Sequence, residues 1–119
     1  MRKLGDLEAL VMEQLWSAGE HLSVRQVLET LPDGRARAYT TIMTVLDNLF
    51  QKGFVDRERS GRAYVYWARQ GRAEHTAKAM EDALAGGGDR GAALMHFVEQ
   101  LTPEESARLR ALLDEAGPS

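Results

Sequence analysis

The chain has 119 residues, of which 44% are hydrophobic and 28% charged, a balance typical of one ordinary folded domain or of a small domain with an appendage. It contains no cysteine, which excludes disulfides and thiolate metal sites and favours a cytoplasmic location. No apolar run approaches the roughly 20 residues needed to cross a bilayer, and the first residues do not show the pattern of a secretory signal.

The net charge of −3 conceals an uneven distribution of charge along the chain. Residues 1–34 carry three basic and six acidic residues, and residues 72–119 carry five and nine, whereas residues 35–71 carry seven basic against three acidic. Such a basic segment suits the DNA backbone, because Lys and Arg contacts to phosphate supply most of the sequence-independent affinity. An ordinary solvated hairpin would also carry this charge, so composition alone leaves both interpretations open.

The first predicted helix runs to about Ala18, with Asp6 as its expected cap and Gly19 at its end. Helical spacing predicts that its buried face consists of Leu7, Leu10, Val11 and Leu15. We expect Trp16 to pack in the core rather than to bind a ligand. Residues 20–22 are expected to add a short strand that pairs with a later hairpin.

A capping box opens the second predicted helix, because Ser23 is followed three residues later by Gln26. Its apolar stripe is expected to be Val24, Val27, Leu28 and Leu31. The turn residues 32–34 close this helix, and residues 35–38 lead into the next one.

The third predicted helix covers residues 39–52, in the stretch Y-T-T-I-M-T-V-L-D-N-L-F-Q-K-G at 39–53, and Gly53 ends it. One stripe at i, i+3, i+4 and i+7 faces a core and consists of Ile42, Val45, Leu46 and Leu49. The other side, near the helix start, carries a group of hydroxyl side chains that a surface helix does not need: Tyr39, Thr40, Thr41 and Thr44.

Residues 54–69 contain enough β-branched and aromatic residues for two strands around a short turn, Ser60-Gly61-Arg62-Ala63, which places Arg62 at the tip. Helix, helix, turn, helix and hairpin is the order of a winged helix-turn-helix. We therefore interpret helix 39–52 as a recognition helix and the hairpin at 54–69 as the wing of a DNA-binding domain.

Three short helices are predicted after residue 71, interrupted by Gly86-Gly87-Gly88 and restarted by Thr102-Pro103-Glu104-Glu105, a strong helix-start signal. So short a segment rarely buries a stable core alone. We therefore expect the same segment of a second copy to complete the core. The alternative is that the three helices fold back onto the first domain. The expected dimer interface consists of Met80, Leu84, Leu94, Phe97, Val98, Leu101, Leu109, Leu112 and Leu113.

The predicted fold is thus mostly α with a small β hairpin, namely a winged helix-turn-helix followed by a three-helix dimerisation element. We place the DNA-binding domain at residues 1–71 and the helical dimerisation domain at residues 72–119. Exposed side chains of the recognition helix are expected to contact bases, and basic residues around it to contact phosphates. The expected phosphate contacts are Arg35, Arg37, Lys52, Arg59 and Arg62.

Over nearly its whole length the chain resembles the penicillinase repressors and their relatives, the BlaI/MecI/CopY family. The residues that carry the resemblance are L-G-D-L-E-A-L-V-M-E-Q-L-W at 4–16, S-V-R-Q-V at 23–27, the stretch at 39–53, G-R-A-Y-V-Y at 61–66, H-F-V-E at 96–99 and L-T-P-E-E at 101–105. The resemblance implies a homodimeric repressor on a dyad-symmetric operator. It implies that Thr40, Thr41, Met43 and Thr44 read bases. We add Tyr39 to this set because of its position at the start of the same helix.

In the penicillinase-repressor branch, the resemblance implies release by a membrane sensor-protease that detects a β-lactam. The matching bond here is His96-Phe97, where staphylococcal relatives have Asn at the first position. The copper-responsive branch uses cysteines, which this chain lacks. A regulator of the same family that answers a different signal therefore stays open as an alternative.

Three other functions are less consistent with the sequence. An enzyme is not predicted, because the histidines His21, His75 and His96 are scattered and no triad, metal-ligand spacing or cofactor motif occurs. Metal sensing would need His75 and His96 to act with carboxylates such as Asp82 and Glu99. A winged helix used only for protein interaction would not need the concentration of positive charge around residues 35–71.

Overall fold

The computed structural model describes residues 4–32 and 37–117, and within them the chain forms six helices and three strands. The helices are α1 (Asp6–Ala18), α2 (Val24–Thr30), α3 (Tyr39–Lys52), α4 (Arg72–Gly86), α5 (Arg90–Glu99) and α6 (Pro103–Ala116). The strands are β1 (Leu22–Ser23), β2 (Val55–Ser60) and β3 (Ala63–Ala68). The order confirms the predicted winged helix-turn-helix followed by three helices.

The three strands form one antiparallel sheet in the order β1-β3-β2. The central strand β3 pairs with the short strand β1 through Leu22 opposite Tyr66, as the sequence predicted for a strand before α2. The β2–β3 register ends with Ser60 opposite Ala63, so Gly61 and Arg62 alone make the turn. Gly61 has a φ of 65°, which lies in the left-handed region that glycine adopts without steric cost.

One core joins α1, α2, α3 and the sheet. Its fully or nearly fully buried hydrophobic residues are Val11, Met12, Leu15, Leu22, Val24, Val27, Leu31, Ile42, Leu46, Leu49, Val55 and Tyr66. The predicted burial of Leu10 is wrong, since this side chain is 38% exposed and Met12 is buried instead. Leu10 lies off the buried stripe of α1 and lines a cleft that α1 forms with the first turns of α4.

The predicted helix starts are confirmed for α2 and α6 and displaced by one residue for α1. Ser23 Oγ accepts the N–H of Gln26 at 3.1 Å, and Gln26 Oε1 accepts the N–H of Ser23 at 2.9 Å. Thr102 and Glu105 repeat this reciprocal pair at the start of α6. The N-cap of α1 is Gly5 rather than Asp6, because the Glu8 carboxylate accepts the Gly5 N–H at 2.7 Å and fixes the first turn.

The chain divides into two compact units within α4, between Lys78 and Ala79, a few residues beyond the predicted boundary at residue 71. The first turns of α4 therefore belong to the winged-helix unit. There, Trp16 Nε1 donates to the Gln70 carbonyl at 2.9 Å, and the His75 ring lies 5.3 Å from Trp16 and 5.6 Å from Phe54, measured between ring centroids. The second unit contains the rest of α4 with α5 and α6, and these three helices contain no buried residue.

In the described part of the chain, no helix is long and apolar enough to span a membrane.

A partly buried ion pair joins the first turn of α1 to the end of α3. Lys52 Nζ lies 2.8 and 3.0 Å from the two carboxylate oxygens of Glu8. Burial alone would raise the pKa of the Glu8 carboxyl, but the hydrogen bonds from Lys52 and from the Gly5 N–H outweigh it and lower this pKa below its ordinary value of 4.5.

We predict that Glu8→Gln lowers the free energy of unfolding at pH 7 by about 1–3 kcal/mol, because it removes a charge-assisted hydrogen bond and leaves Lys52 without its partner. A carboxyl whose pKa is lowered by folding stabilises the folded state above its unfolded pKa, and this stabilisation is lost as the pH falls through the folded pKa. The difference between wild type and variant should therefore shrink below pH 4.5, the ordinary value for the carboxyl.

Urea unfolding followed by circular dichroism at pH 7 and at pH 3 measures this difference. Glu13→Gln is the matched control, because Glu13 forms an exposed ion pair with Arg72 that should contribute little. A Glu8→Gln effect that is the same at both pH values would contradict the assignment.

Candidate nucleic-acid interface

The exposed face of α3 follows directly from the burial of its opposite face. Ile42, Leu46 and Leu49 are 0% exposed, which fixes the rotation of the helix about its axis. All five side chains predicted to contact bases lie on the exposed side, within the first two turns: Tyr39, Thr40, Thr41, Met43 and Thr44. The structure thus brings them together on one accessible surface, which we call the α3 face.

The two ends of α3 are held differently. At its start, Ala38 is the N-cap and has no side-chain acceptor, so the first turn is held by backbone hydrogen bonds such as Thr41 N–H to the Ala38 carbonyl at 3.0 Å. At its end, Gly53 has a φ of 86° and caps the helix as predicted.

Arg25, which was not among the predicted contacts, lies beside the start of the recognition helix. Its guanidinium carbon is 5.6 Å from the centroid of the Tyr39 ring, within the range of a cation–π contact. Arg25 is exposed near the start of α2, which is the helix that crosses the DNA backbone in helix-turn-helix proteins. That position in the first turn of α2, between the two capping-box residues Ser23 and Gln26, was the available signal in the sequence.

The wing packs against α3 through stacked side chains centred on Arg57 of β2. The Arg57 guanidinium carbon lies 4.0 Å from the Phe50 ring centroid and 4.3 Å from that of Tyr64. Its Nη1 donates to Asp47 Oδ1 at 3.1 Å. Burial acts to lower the pKa of Arg57, but interactions with Tyr66 and Asp47 raise it above its ordinary value, so the group stays charged.

The predicted phosphate contacts have different surroundings. Arg59 and Arg62 are exposed on the wing, and the Arg59 guanidinium carbon is 5.4 Å from the Tyr64 ring centroid. Arg37 is partly buried, and Arg35 lies outside the described residues. Lys52 is bound to Glu8 within the fold. The sequence could not show this pairing, because the two residues are 44 positions apart.

Between α3 and the wing lies an open cleft of about 370 Å³. Met43, Thr44 and Asp47 line its helix side, and Arg57, Tyr64 and Tyr66 line its wing side. Met43 and Thr44 of the α3 face therefore border the same cleft as the wing.

The side chains predicted to form a dimer interface lie on α4, α5 and α6. Seven of the nine are large hydrophobic residues with at least 36% of their surface exposed: Met80, Leu94, Phe97, Val98, Leu109, Leu112 and Leu113. Leu84 and Leu101 are partly buried. On α5, the exposed His96 lies beside Glu99, with 3.5 Å between Nδ1 and Oε2.

The histidines do not form a metal site within the described residues, where no three metal-ligating side chains come together. His75 packs against Trp16 and Phe54, and His21 stacks on Trp67 with 4.0 Å between ring centroids. The metal-sensing alternative therefore has no support in the described part of the chain.

A winged helix with an exposed, hydroxyl-rich recognition helix and a basic wing defines a DNA-binding transcriptional regulator. Its fold is similar to that of an ArsR-like transcriptional regulator from Rhodococcus sp. RHA1, with 22% identity, a TM-score of 0.53 and coverage of 82% of this chain and 86% of that one. It is also similar to a MarR variant from E. coli, with 19% identity, a TM-score of 0.52 and coverage of 98% and 79%. These likenesses concern the fold alone.

The sequence relationship is more specific. Residues 4–115 match the penicillinase repressor family. The chain is 48% identical to the transcriptional regulator BlaI of Mycobacterium tuberculosis over 118 residues, which cover 97% of this chain and 86% of that protein. The chain belongs to the penicillinase repressor family, and it is a DNA-binding transcriptional repressor of that family rather than an enzyme.

Proposed function

We propose that the protein is a homodimeric repressor that binds a dyad-symmetric operator and blocks transcription. The observation that carries this proposal is the α3 face, where five accessible side chains lie beside a wing that carries Arg59 and Arg62. In this arrangement α3 enters the major groove, and the wing reaches the neighbouring backbone. Two recognition helices about 34–36 Å apart would meet successive major grooves.

The chemistry of the α3 face suits the edges of bases. Threonine hydroxyls donate or accept hydrogen bonds, and their methyl groups pack against the methyl group of thymine. We assign base contacts to Thr40, Thr41 and Thr44, apolar contact to Met43, and a hydroxyl or ring contact to Tyr39.

Phosphate contacts are assigned to exposed cations around this face. Arg59 and Arg62 supply them from the wing, and Arg25 supplies one beside Tyr39. The turn before α3, with Arg35 and Arg37, keeps its predicted role. We leave Lys52 out of this set, because breaking its pair with the partly buried Glu8 would leave a carboxylate without its partner.

The dimer is supported by the second unit, whose helices bury none of their own side chains. An apolar surface with seven large exposed side chains is unusual for a free surface and typical of an interface. The occupant we propose is the same surface of a second copy, since a twofold interface is self-complementary.

Release by proteolysis after a β-lactam signal is the finer part of the proposal. It rests on the family and on the H-F-V-E stretch at 96–99. The bond between His96 and Phe97 lies inside the regular helix α5, so α5 must unwind locally before a protease can cut it.

To test operator binding, genomic fragments retained by the purified protein are sequenced and titrated at several salt concentrations. We expect a recurring dyad motif that binds at least 1,000-fold more tightly than random DNA, in the range of specific DNA-binding proteins. Arg62→Ala should weaken binding to operator and to random DNA alike, because it removes a phosphate contact. It should also reduce the slope of log affinity against log salt concentration, the salt slope, by about one per protomer.

Thr44→Ala is the matched comparison on the α3 face and should relax the sequence preference without changing the salt slope. Weak binding that is uniform across sequences would contradict the operator proposal. A loss confined to one sequence in Arg62→Ala would show that Arg62 reads bases.

To test the dimer, we predict that Leu112→Asp yields monomers in sedimentation equilibrium and abolishes tight operator binding, because a carboxylate cannot be buried in an apolar interface without a partner. Circular dichroism should show that the winged-helix unit stays folded. Ala111→Asp is the control, since helical periodicity places residue 111 away from the Leu109, Leu112 and Leu113 stripe. If the Leu112→Asp protein is still dimeric, the interface lies elsewhere.

To test release, the protein is co-expressed with a β-lactam sensor-protease of this family's systems, with and without a β-lactam. We expect mass spectrometry to find a new fragment ending at His96 only when the β-lactam is present. An intact chain, or a cut elsewhere, would favour a family member that answers a different signal.

A further inference from the structure

We infer that Arg57 is a positioning residue that holds the wing at a fixed angle to the recognition helix, an inference that rests on the proposed operator binding. Arg57 belongs to β2, but its contacts join three elements. Phe50 and Asp47 come from α3, and Tyr64 comes from β3. The side chain is only 20% exposed, unlike those of Arg59 and Arg62.

The contacts use every chemical feature of a guanidinium group. Its flat faces lie 4.0 Å from the Phe50 ring centroid and 4.3 Å from the Tyr64 ring centroid, and its edge donates to Asp47 at 3.1 Å. A lysine ammonium is compact and not planar, so it cannot stack on two rings and form this hydrogen bond together. Because Asp47 already accepts from Arg57, the Arg57 charge is already paired within the winged-helix unit.

The wing depends on this contact because, among the described residues, its outer half is otherwise approached from outside the hairpin by His21, whose Nδ1 lies 3.9 Å from Glu58 Oε1. At its base, backbone hydrogen bonds fix the wing through Phe54 N–H to the Leu49 carbonyl at 2.9 Å and Arg69 N–H to the Phe54 carbonyl at 3.0 Å. The neighbouring strand β1 pairs only with Val65 and Tyr66 of β3. Residues 59–63 extend beyond this support and are exposed.

The same contact also reaches the proposed phosphate ligands. The Tyr64 ring that stacks on Arg57 lies 5.4 Å from the Arg59 guanidinium carbon, and Arg59 pairs with Tyr64 across the β2–β3 register. Arg62 follows three residues after Arg59, at the turn. Fixing Tyr64 therefore fixes the support of Arg59 and the direction of the tip that carries Arg62.

The first arm of the test needs no DNA. Backbone order parameters of residues 58–65 are measured by NMR in wild type, Arg57→Met, Arg57→Lys and Phe50→Leu. We expect rigid values in wild type and values falling toward the flexible range, below about 0.6, in all three variants. Phe54→Leu is the control, because Phe54 is also partly buried but contacts His75 rather than Arg57.

The second arm is a titration of the selected operator at several salt concentrations. We expect Arg57→Met to reduce the salt slope by about two per protomer, although it removes one charge, because Arg59 and Arg62 lose their contacts together. Phe50→Leu should reduce the slope without removing any charge, and Arg57→Lys should not restore it. Arg62→Ala should have a smaller effect in the Arg57→Met protein than in wild type, as expected for coupled residues.

Unchanged order parameters in Arg57→Met would overturn the inference. So would a reduction of the salt slope by only one per protomer that Arg57→Lys restores and that is additive with the effect of Arg62→Ala. That second result would make Arg57 a direct phosphate contact. Failure of the operator proposal looks different, since wild type itself would then show no preferred DNA. The NMR arm would still decide whether Arg57 orders the wing.

Discussion

The burial of one apolar stripe of α3 is the constraint on which the rest of the surface depends. Ile42, Leu46 and Leu49 are completely buried, and removing each from water contributes on the order of 1.5–3 kcal/mol. The helix therefore cannot rotate without exposing them. Because the side chains of a helix are fixed relative to one another, this burial determines that Thr40, Met43 and Thr44 face outward.

The placement of the wing depends on polar and aromatic contacts more than on burial. Only Val55 and Tyr66 of β2 and β3 belong to the buried core, and exposure increases toward the turn. Its basic residues consequently have two roles. Arg57 pairs with Asp47 and its side chain is only 20% exposed, whereas Arg59 and Arg62 remain at the surface, as does Arg69 in its exposed pair with Asp56. A count of positive charge in this segment overstates what is available to a DNA backbone.

The elements that follow local rules were predictable from the sequence. The capping boxes at Ser23 and Thr102, the end of α3 at Gly53 and the turn at Gly61 each depend on residues within a few positions of one another. Leu10 was misplaced because two apolar stripes can be drawn on α1, and only packing against α2 and α3 selects one. Likewise, Asp6 is a good cap by type, but Glu8 reaches back to Gly5.

The tertiary contacts were beyond the reach of sequence patterns. Lys52 and Glu8, Arg25 and Tyr39, and Arg57 and Phe50 are brought together by the packing of whole elements, so periodicity carries no signal for them. The family resemblance implied which side chains of α3 read bases, but it could not separate cations that are paired within the fold from cations that face outward. That distinction came from distances and burial.

The internal pairing of cations also bears on why this chain needs its C-terminal helices. Lys52 and Arg57 are paired and partly buried in the winged-helix unit, which leaves fewer of its described cations for phosphate, and nonspecific affinity grows with the number of such contacts. One unit would therefore hold DNA weakly. In the dimer proposed above, joining two winged-helix units through α4–α6 would make the second DNA contact intramolecular, with an effective concentration set by the linkage, and would raise affinity without any new contact to DNA. In that dimer, the exposed apolar surface of the second unit would offset the pairing of Lys52 and Arg57 in the first.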